Sequence, residues 1–219
     1  MQITTNVYQV GGSDESYGQD AAIYLVRDGD RAALVDAGTG YGHTAVLDNV
    51  RNAGIEPSNI ELLFLTHCHY DHTGGASLMR QATGCKIVAH TLDAVYLEAG
   101  DAEVTAASWY GSFFRALPVD VTVSEAKREF SVGSLSVTMH HIPGHSPGST
   151  ALTVVSDGKL VLFGQDVHGP LNDTLLSNRD QYEKSLEFLI SLDADILCEG
   201  HFGVYEGKER VRRFIESYL

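Results

Sequence analysis

The sequence predicts an α/β fold in which mixed sheets pack together beneath covering helices. Three observations carry that expectation. Short apolar runs alternate with turn signals along most of the chain, Asp-Gly turns mark a β-hairpin in each half, and helical periodicity appears between the strand-like runs. Hairpins in both halves argue against a purely parallel, doubly wound sheet. Sheets stacked on one another and covered by helices fit better.

The elements follow in order. Residues 21–26 and 32–35 flank Arg27-Asp28-Gly29-Asp30, a hairpin with an Asp-Gly turn. Residues 43–53 carry Val46, Leu47 and Val50 on one helical face and run into Gly54, with Pro57 beyond as a stop. Strands are expected at 60–65 and 86–89. The stretch 100–128 is the least regular, with Trp109, Tyr110, Phe113 and Phe114 close together. It fits an amphipathic helix packing an aromatic edge, a wall over a pocket, or both. A strand at 135–139 follows, then a second hairpin, 150–156 with 160–163, around Asp157-Gly158. Residues 182–192 place Tyr182, Leu186, Leu189 and Ile190 on one stripe, and a last strand lies at 196–198. Residues 208–219 close the chain as a helix, with Val211, Phe214, Ile215 and Tyr218 at i, i+3, i+4 and i+7.

Length and composition bound the rest. A chain of 219 residues, 43% hydrophobic and 20% charged, makes one ordinary globular domain, 1–219, able to bury its own core. Its 29 acidic against 15 basic residues give a net charge of −14. Such a surface repels phosphate backbones and there is no Lys/Arg run, so no nucleic-acid partner is expected. No apolar stretch is long enough to span a bilayer, so no membrane role is expected. The start, Met1-Gln2-Ile3-Thr4-Thr5-Asn6, lacks a charged region followed by an apolar one. Three cysteines with no C-x-x-C do not form a disulfide framework, and a reducing, cytoplasmic location fits.

The chemistry concentrates in Leu65-Thr66-His67-Cys68-His69-Tyr70-Asp71-His72-Thr73-Gly74-Gly75, at the end of an apolar run. His67 and His69 are two apart, so an extended tip points both the same way. Asp71 and His72 then lie on a turn entering a helix, where Gly74 and Gly75 permit close backbone approach. Four such imidazole and carboxylate donors within six residues can serve two adjacent divalent ions. Three later residues repeat the arrangement: His145 in Pro143-Gly144-His145, Asp166 in Gly164-Gln165-Asp166, and His201 in Glu199-Gly200-His201. Each follows a strand-like run and has a glycine next to it or two before. Packing alone does not produce that pattern four times. The other histidines, His43, His90, His140 and His141, read as surface or satisfied core residues, and Cys68 alternates away from its neighbours.

His67-x-His69-x-Asp71-His72, with His145, Asp166 and His201 in that order and Leu34-Val35-Asp36-Ala37-Gly38 before them, resembles the metallo-β-lactamase superfamily over residues 24–201. The resemblance implies an αβ/βα four-layer sandwich: two mixed β-sheets face to face, flanked by helices, with metals at one edge. It implies one metal site of His67, His69 and His145, a second of Asp71, His72 and His201, and Asp166 bridging the two. Asp36 then holds the metal-binding loop by hydrogen bonds. The cofactors implied are two divalent ions, zinc first, with iron or manganese as alternatives.

The activity implied is hydrolysis of an ester, thioester, lactone or related bond of a small molecule, by a hydroxide bridging the metals. Asp71 would steer that hydroxide and shuttle its proton, and His168 would line the pocket or donate a proton. No G-x-S-x-G competes for the role of nucleophile. Among glyoxalase II-like thioesterases a helical domain follows the last ligand, whereas here one helix does. Lactonase-like members carry a Tyr soon after the bridging Asp, and here Val167-His168-Gly169-Pro170-Leu171 stands there. The rival activity is a mononuclear non-haem iron oxygenase of the persulfide dioxygenase kind, using His67, His145 and Asp166. Its usual Cys-Gly-Arg after the bridging Asp is missing, so hydrolysis is preferred. Tyr110, Phe113, Phe114 and His168 are expected to line the pocket; Arg115 and Arg179 are expected to be solvated surface residues, with contact to an anionic group as the alternative. The aromatic edge would equally serve as a homodimer contact.

Overall fold

A computed structural model describes all residues, 1–219, as two six-stranded sheets with helices outside both. The first sheet runs β1 (Val7–Gly11), β2 (Ile23–Asp28), β3 (Arg31–Val35), β4 (Ile60–Phe64), β5 (Lys86–His90) and β6 (Val121–Val123), in that spatial order. Its first three strands pair antiparallel and the rest parallel. The second sheet is ordered β12 (Val204–Glu206), β11 (Ile196–Glu199), β10 (Lys159–Gln165), β9 (Thr150–Ser156), β8 (Leu135–His141) and β7 (Lys127–Val132). There only β10 and β11 run parallel.

The helices are α1 (His43–Asn52), α2 (Tyr70–Thr73), α3 (Ala76–Thr83), α4 (Thr91–Ala99), α5 (Arg179–Ser191) and α6 (Lys208–Glu216). Three apolar layers hold the four structural layers together. The central one sits between the sheets and is built from inward residues such as Tyr24, Phe64, Val88, Met139, Leu152, Phe163 and Ile196. Tyr24 meets Phe163 with ring centroids 5.5 Å apart, and Phe64 meets Phe130 edge-on at 5.1 Å. Such aromatic pairs add about 0.5–1.5 kcal/mol beyond the area they bury. An outer layer packs Leu25, Leu34, Leu63 and Ile87 of the first sheet against Val46, Val50, Met79 and Leu97 of its helices. The other packs Leu162 and Leu197 against Leu186, Leu189, Val211 and Ile215. This is the four-layer sandwich expected from the sequence.

Both hairpins form where the Asp-Gly turns stand. At the second, Asp157 and Gly158 both take positive φ, 52° and 71°, the turn whose twist matches that of the strands. The structure also corrects the reading of 100–128. No amphipathic helix forms there. A short turn at Ala107–Tyr110 is bounded by Ala106 and Gly111, both left-handed (φ 59° and 62°), and neither continues a helix. Residues 102–105 form a turn before it, and the later part supplies β6 and the start of β7. The last helix ends at Glu216, three residues short of the chain end. No helix is long and apolar enough to cross a membrane.

Candidate metal centre

Every strand that carries a candidate ligand ends at the same edge of the sandwich. The loop after β4 delivers His67 and His69, and its continuation into α2 delivers Asp71 and His72. Loops after β8 and β11 bring His145 and His201, and Asp166 follows β10 directly. Glycines make the approach possible. A Cβ on Gly75 would lie 2.2 Å from the Ala37 carbonyl oxygen, and one on Gly200 would lie 2.6 Å from Asp166 Oδ1.

Two clusters of donor atoms result, and a third group, Asp166, His168 and His201, overlaps both. His67, His69, His145 and Asp166 form one, and Asp71, His72 and His201 the other, with donor atoms in each within 4.8 Å of one another. Asp166 divides its oxygens between them. Its Oδ2 lies 3.3 Å from His145 Nε2 and 3.7 Å from His67 Nε2, and its Oδ1 lies 3.1 Å from His72 Nε2 and 3.4 Å from His201 Nε2. His69 Nδ1 and His145 Nε2 face each other at 2.9 Å. His201 Nε2 is 3.3 Å from Asp71 Oδ2.

The donor set fits divalent metal on its own evidence. His67 Nε2, His72 Nε2 and Asp166 Oδ1 are buried, point into the cluster and have no hydrogen-bond partner. Orphaned polar atoms of this kind are costly unless something else binds them. Imidazole with carboxylate is the donor chemistry of zinc, iron and manganese.

The outward nitrogens are held from behind. Thr66 Oγ1 stands 3.1 Å from His67 Nδ1, and the Pro170 carbonyl 3.0 Å from His145 Nδ1. Asp36 is fully buried. Its Oδ2 lies 2.6 Å from His72 Nδ1 and also accepts from Thr66 Oγ1 and Gln165 Nε2, while Oδ1 accepts from Thr66 N.

The two clusters differ in electrostatics. Burial, then the neighbouring imidazoles, push His67 well below its ordinary value, and burial with His145 takes His69 down to about 3. Burial works against protonation at His72 too, but the carboxylates of Asp166, Asp71 and Asp36 outweigh it and raise that ring well above its ordinary value. At His201 burial is outweighed by the facing carboxylates of Asp166 and Asp71, which take it up to about 10. Against the burial that would raise it, His72 and the surrounding rings hold the Asp166 carboxyl well below the usual range.

A cleft of about 170 Å³ opens over both clusters, walled by Trp109, Tyr110, Ala106, Pro170, Leu175 and His168. Tyr110 and His168 stand where the sequence placed them. Phe113 and Phe114 do not: they line a separate groove with Leu78 and Arg115, and Phe113 is 88% exposed. Tyr70 lines that groove with them, and no metal ligand does. Neither cation reaches the cleft. Arg115 faces that second groove, and Arg179 pairs with Glu183 at 3.3 Å.

Trp109, named in the aromatic stretch expected to wall a pocket, takes the place expected for Phe113. Two residues of this site escape sequence reasoning. Glu199 is fully buried. Its Oε1 lies 2.7 Å from His168 Nδ1, and its Oε2 accepts from the backbone N–H groups of His201 and Phe202. A carboxylate closing the apolar run Ile196-Leu197-Cys198 was the available signal. Asp93 gave no signal, because the groups it binds lie 25, 53 and 55 positions away.

The comparisons agree with this geometry. Residues 17–201 match the metallo-beta-lactamase superfamily. The chain belongs to that superfamily. It is 30% identical to the acyl-coenzyme A thioesterase MBLAC2 of Homo sapiens, over 92% of this chain and 80% of that one. It is 28% identical to a probable metallo-hydrolase, MJ0888, of Methanocaldococcus jannaschii, over 66% of each chain. It is 33% identical to a hydroxyacylglutathione hydrolase of Anaeromyxobacter dehalogenans, over 62% of this chain but only 43% of that one. The chain thus spans from under half to four-fifths of the length of these relatives. The native FEZ-1 metallo-beta-lactamase of Legionella gormanii has the same fold, with a TM-score of 0.82 at 20% identity over 100% of this chain and 91% of that one. At this level the chain is a superfamily metallohydrolase with buried His/Asp clusters of the metal-binding kind.

Proposed function

We propose that this protein is a dinuclear metal-dependent hydrolase that cleaves an acyl bond, ester, thioester or lactone, of a small molecule. The observation that carries the reading is Asp166, whose two oxygens face two separate donor clusters at the floor of one cleft. Relatives named for thioester hydrolysis support a thioester as the first substrate class to test. Zinc is the metal expected first.

We assign His67, His69 and His145 to one ion, Asp71, His72 and His201 to the other, and Asp166 to both. Bound there, the ions supply a water ionised near neutral pH and a Lewis acid for the carbonyl oxygen. The remaining tasks fall to the chain. Asp71 lines the cleft and faces His201, placed to accept the proton of the attacking water. His168 is fixed through Nδ1 by the Glu199 carboxylate, and as the imidazolium it would carry a second proton on Nε2 to give to the leaving alkoxide or thiolate, returning to the neutral ring. Trp109, Tyr110, Pro170 and Leu175 give an acyl group an apolar wall and exclude water around the bond.

The test is elemental mass spectrometry on protein purified without chelator, followed by a panel of esters, thioesters, lactones and phosphodiesters. About two equivalents of metal per chain and hydrolysis lost in Asp71→Ala are expected. About one equivalent of iron, with oxygen consumed in the presence of thiol or persulfide, would replace this reading by an oxygenase.

A further inference from the structure

Asp93 is a buried carboxylate that the chemistry above does not use. It stands in the first turn of α4 and is 1% exposed. It makes no hydrogen bond to a candidate ligand side chain. Instead it gathers backbone and hydroxyl groups from two loops. Its Oδ2 accepts from Cys68 N at 2.8 Å and from Ser146 Oγ at 2.6 Å, and its Oδ1 accepts from Gly148 N at 2.6 Å. Cys68 lies between His67 and His69, and Ser146 follows His145. The two loops that meet on Asp93 therefore supply all three imidazoles of the first cluster. The fit is close: a Cβ on Gly148 would lie 2.7 Å from Asp93 Oδ1 and 2.5 Å from its backbone nitrogen.

The second cluster is held differently. Its His72 is gripped by Asp36, and Asp93 makes no hydrogen bond to the segments that bear Asp71, His72 or His201. The structure assigns Asp93 as the positioning residue of the first metal site, the counterpart of Asp36 at the second. This inference rests on the metal-binding reading above but not on the substrate. A charged acceptor with three short donors fixes two loops relative to each other within a few tenths of an ångström, which is what three converging imidazoles require. Asn is isosteric, but one of its two donor-facing positions becomes an NH2 turned towards an N–H or O–H. Asp93→Asn thus breaks the junction without opening a cavity.

The experiment loads wild-type, Asp93→Asn and Ser146→Ala protein with zinc and titrates it against a competing chelator. Metal per chain is read by elemental mass spectrometry, and a parallel cobalt titration is read in the visible spectrum. In Asp93→Asn one of the two equivalents should bind about 10–100-fold more weakly, the usual scale for residues that orient ligands, while the other keeps its wild-type affinity. Ser146→Ala removes a single bond and should weaken the same equivalent by a smaller factor, which keeps the inference testable if Asp93→Asn fails to fold. Two equivalents at wild-type affinity in the folded variants would overturn it. So would equal weakening of both equivalents together with lower stability of the metal-free protein, the signature of a purely structural role. Wild-type protein that binds no metal would instead overturn the metal-binding reading itself.

Discussion

Two groups of histidines lie in this molecule, and only one is built as a metal centre. His67, His69, His72, His145 and His201 converge on Asp166, with neighbouring rings inclined at 53° to 87° so that nitrogens meet near common points. His90, His140 and His141 gather at the ends of β5 and β8. There His90 and His141 stack face to face, 3.8 Å apart and 10° from parallel. One nitrogen of each turns to a local group, though His90 Nε2 is buried without a partner: His90 Nδ1 accepts from Leu92 N, His141 Nε2 meets the Pro147 carbonyl, and His140 Nε2 meets Thr153 Oγ1. No carboxylate joins the second group at hydrogen-bond distance. Histidine density therefore does not make a site. Convergent nitrogens around a shared carboxylate do, with further carboxylates behind them.

The hardest blow to that contrast is Asp166→Ala. It removes the group common to both clusters, so hydrolysis should fall by at least about 10³-fold, the scale of losing a preorganised charge at the reacting centre. Metal content should fall with it. Retention of full activity with two metals bound would mean that the clusters do not act as a pair.

His168 stands at the margin of the first group, beside Asp166 and His201, which makes it the test of where the reactive imidazoles end. His168→Ala should lower kcat by about 10²-fold for alkyl esters, whose leaving group needs a proton. Activated aryl esters should be nearly unaffected, and metal content should stay at wild type. An equal loss for every leaving group would assign His168 to binding or structure instead.

Asp36→Asn should act chiefly on the carboxylate-backed cluster, through His72, and reach His67 only by way of Thr66. Affinity for one metal equivalent should fall about 10–100-fold, and it should be the equivalent that Asp93→Asn leaves intact. The double variant read by chelator titration decides this: both equivalents should then be weak. If the two variants weaken the same equivalent, the assignment of one positioning carboxylate to each site is wrong.

These contrasts also show what the sequence could and could not reveal. The hairpins at Gly29 and Asp157-Gly158 were legible because two-residue turns are local chemistry. The ligand-bearing loops stood out because each follows an apolar run and carries His or Asp beside Gly. Edge strands such as β7 and β12, and the short helices α3 and α4, were not legible. β7 (Lys-Arg-Glu-Phe-Ser-Val) buries only alternate residues, and α4 starts directly after β5 with no intervening loop. Asp93 was invisible for a related reason. Its meaning lies in partners far along the chain, and nothing near it differs from an ordinary acidic residue in the first turn of a helix.

The smallest expected effect lies in the second histidine group, and it has a definite sign. Burial, then the stacked His141, hold His90 down at about 4. Its value in an unfolded chain is near 6.5, so between roughly pH 6.5 and 4 the unfolded state binds the extra proton. The stability contributed by a neutral His90 is thus fully present above about pH 6.5 and is lost as the pH falls towards 4. Denaturant unfolding of metal-free protein at several pH values should therefore show a shallower loss in His90→Asn than in wild type. Asn is a good choice because His90 caps α4 through Leu92 N, a position where Asn is favoured. Comparing the two proteins cancels the metal-site histidines, which titrate in both. Metal content should be the same in both at neutral pH, and a loss of metal in His90→Asn would show that the two histidine groups are not separate after all.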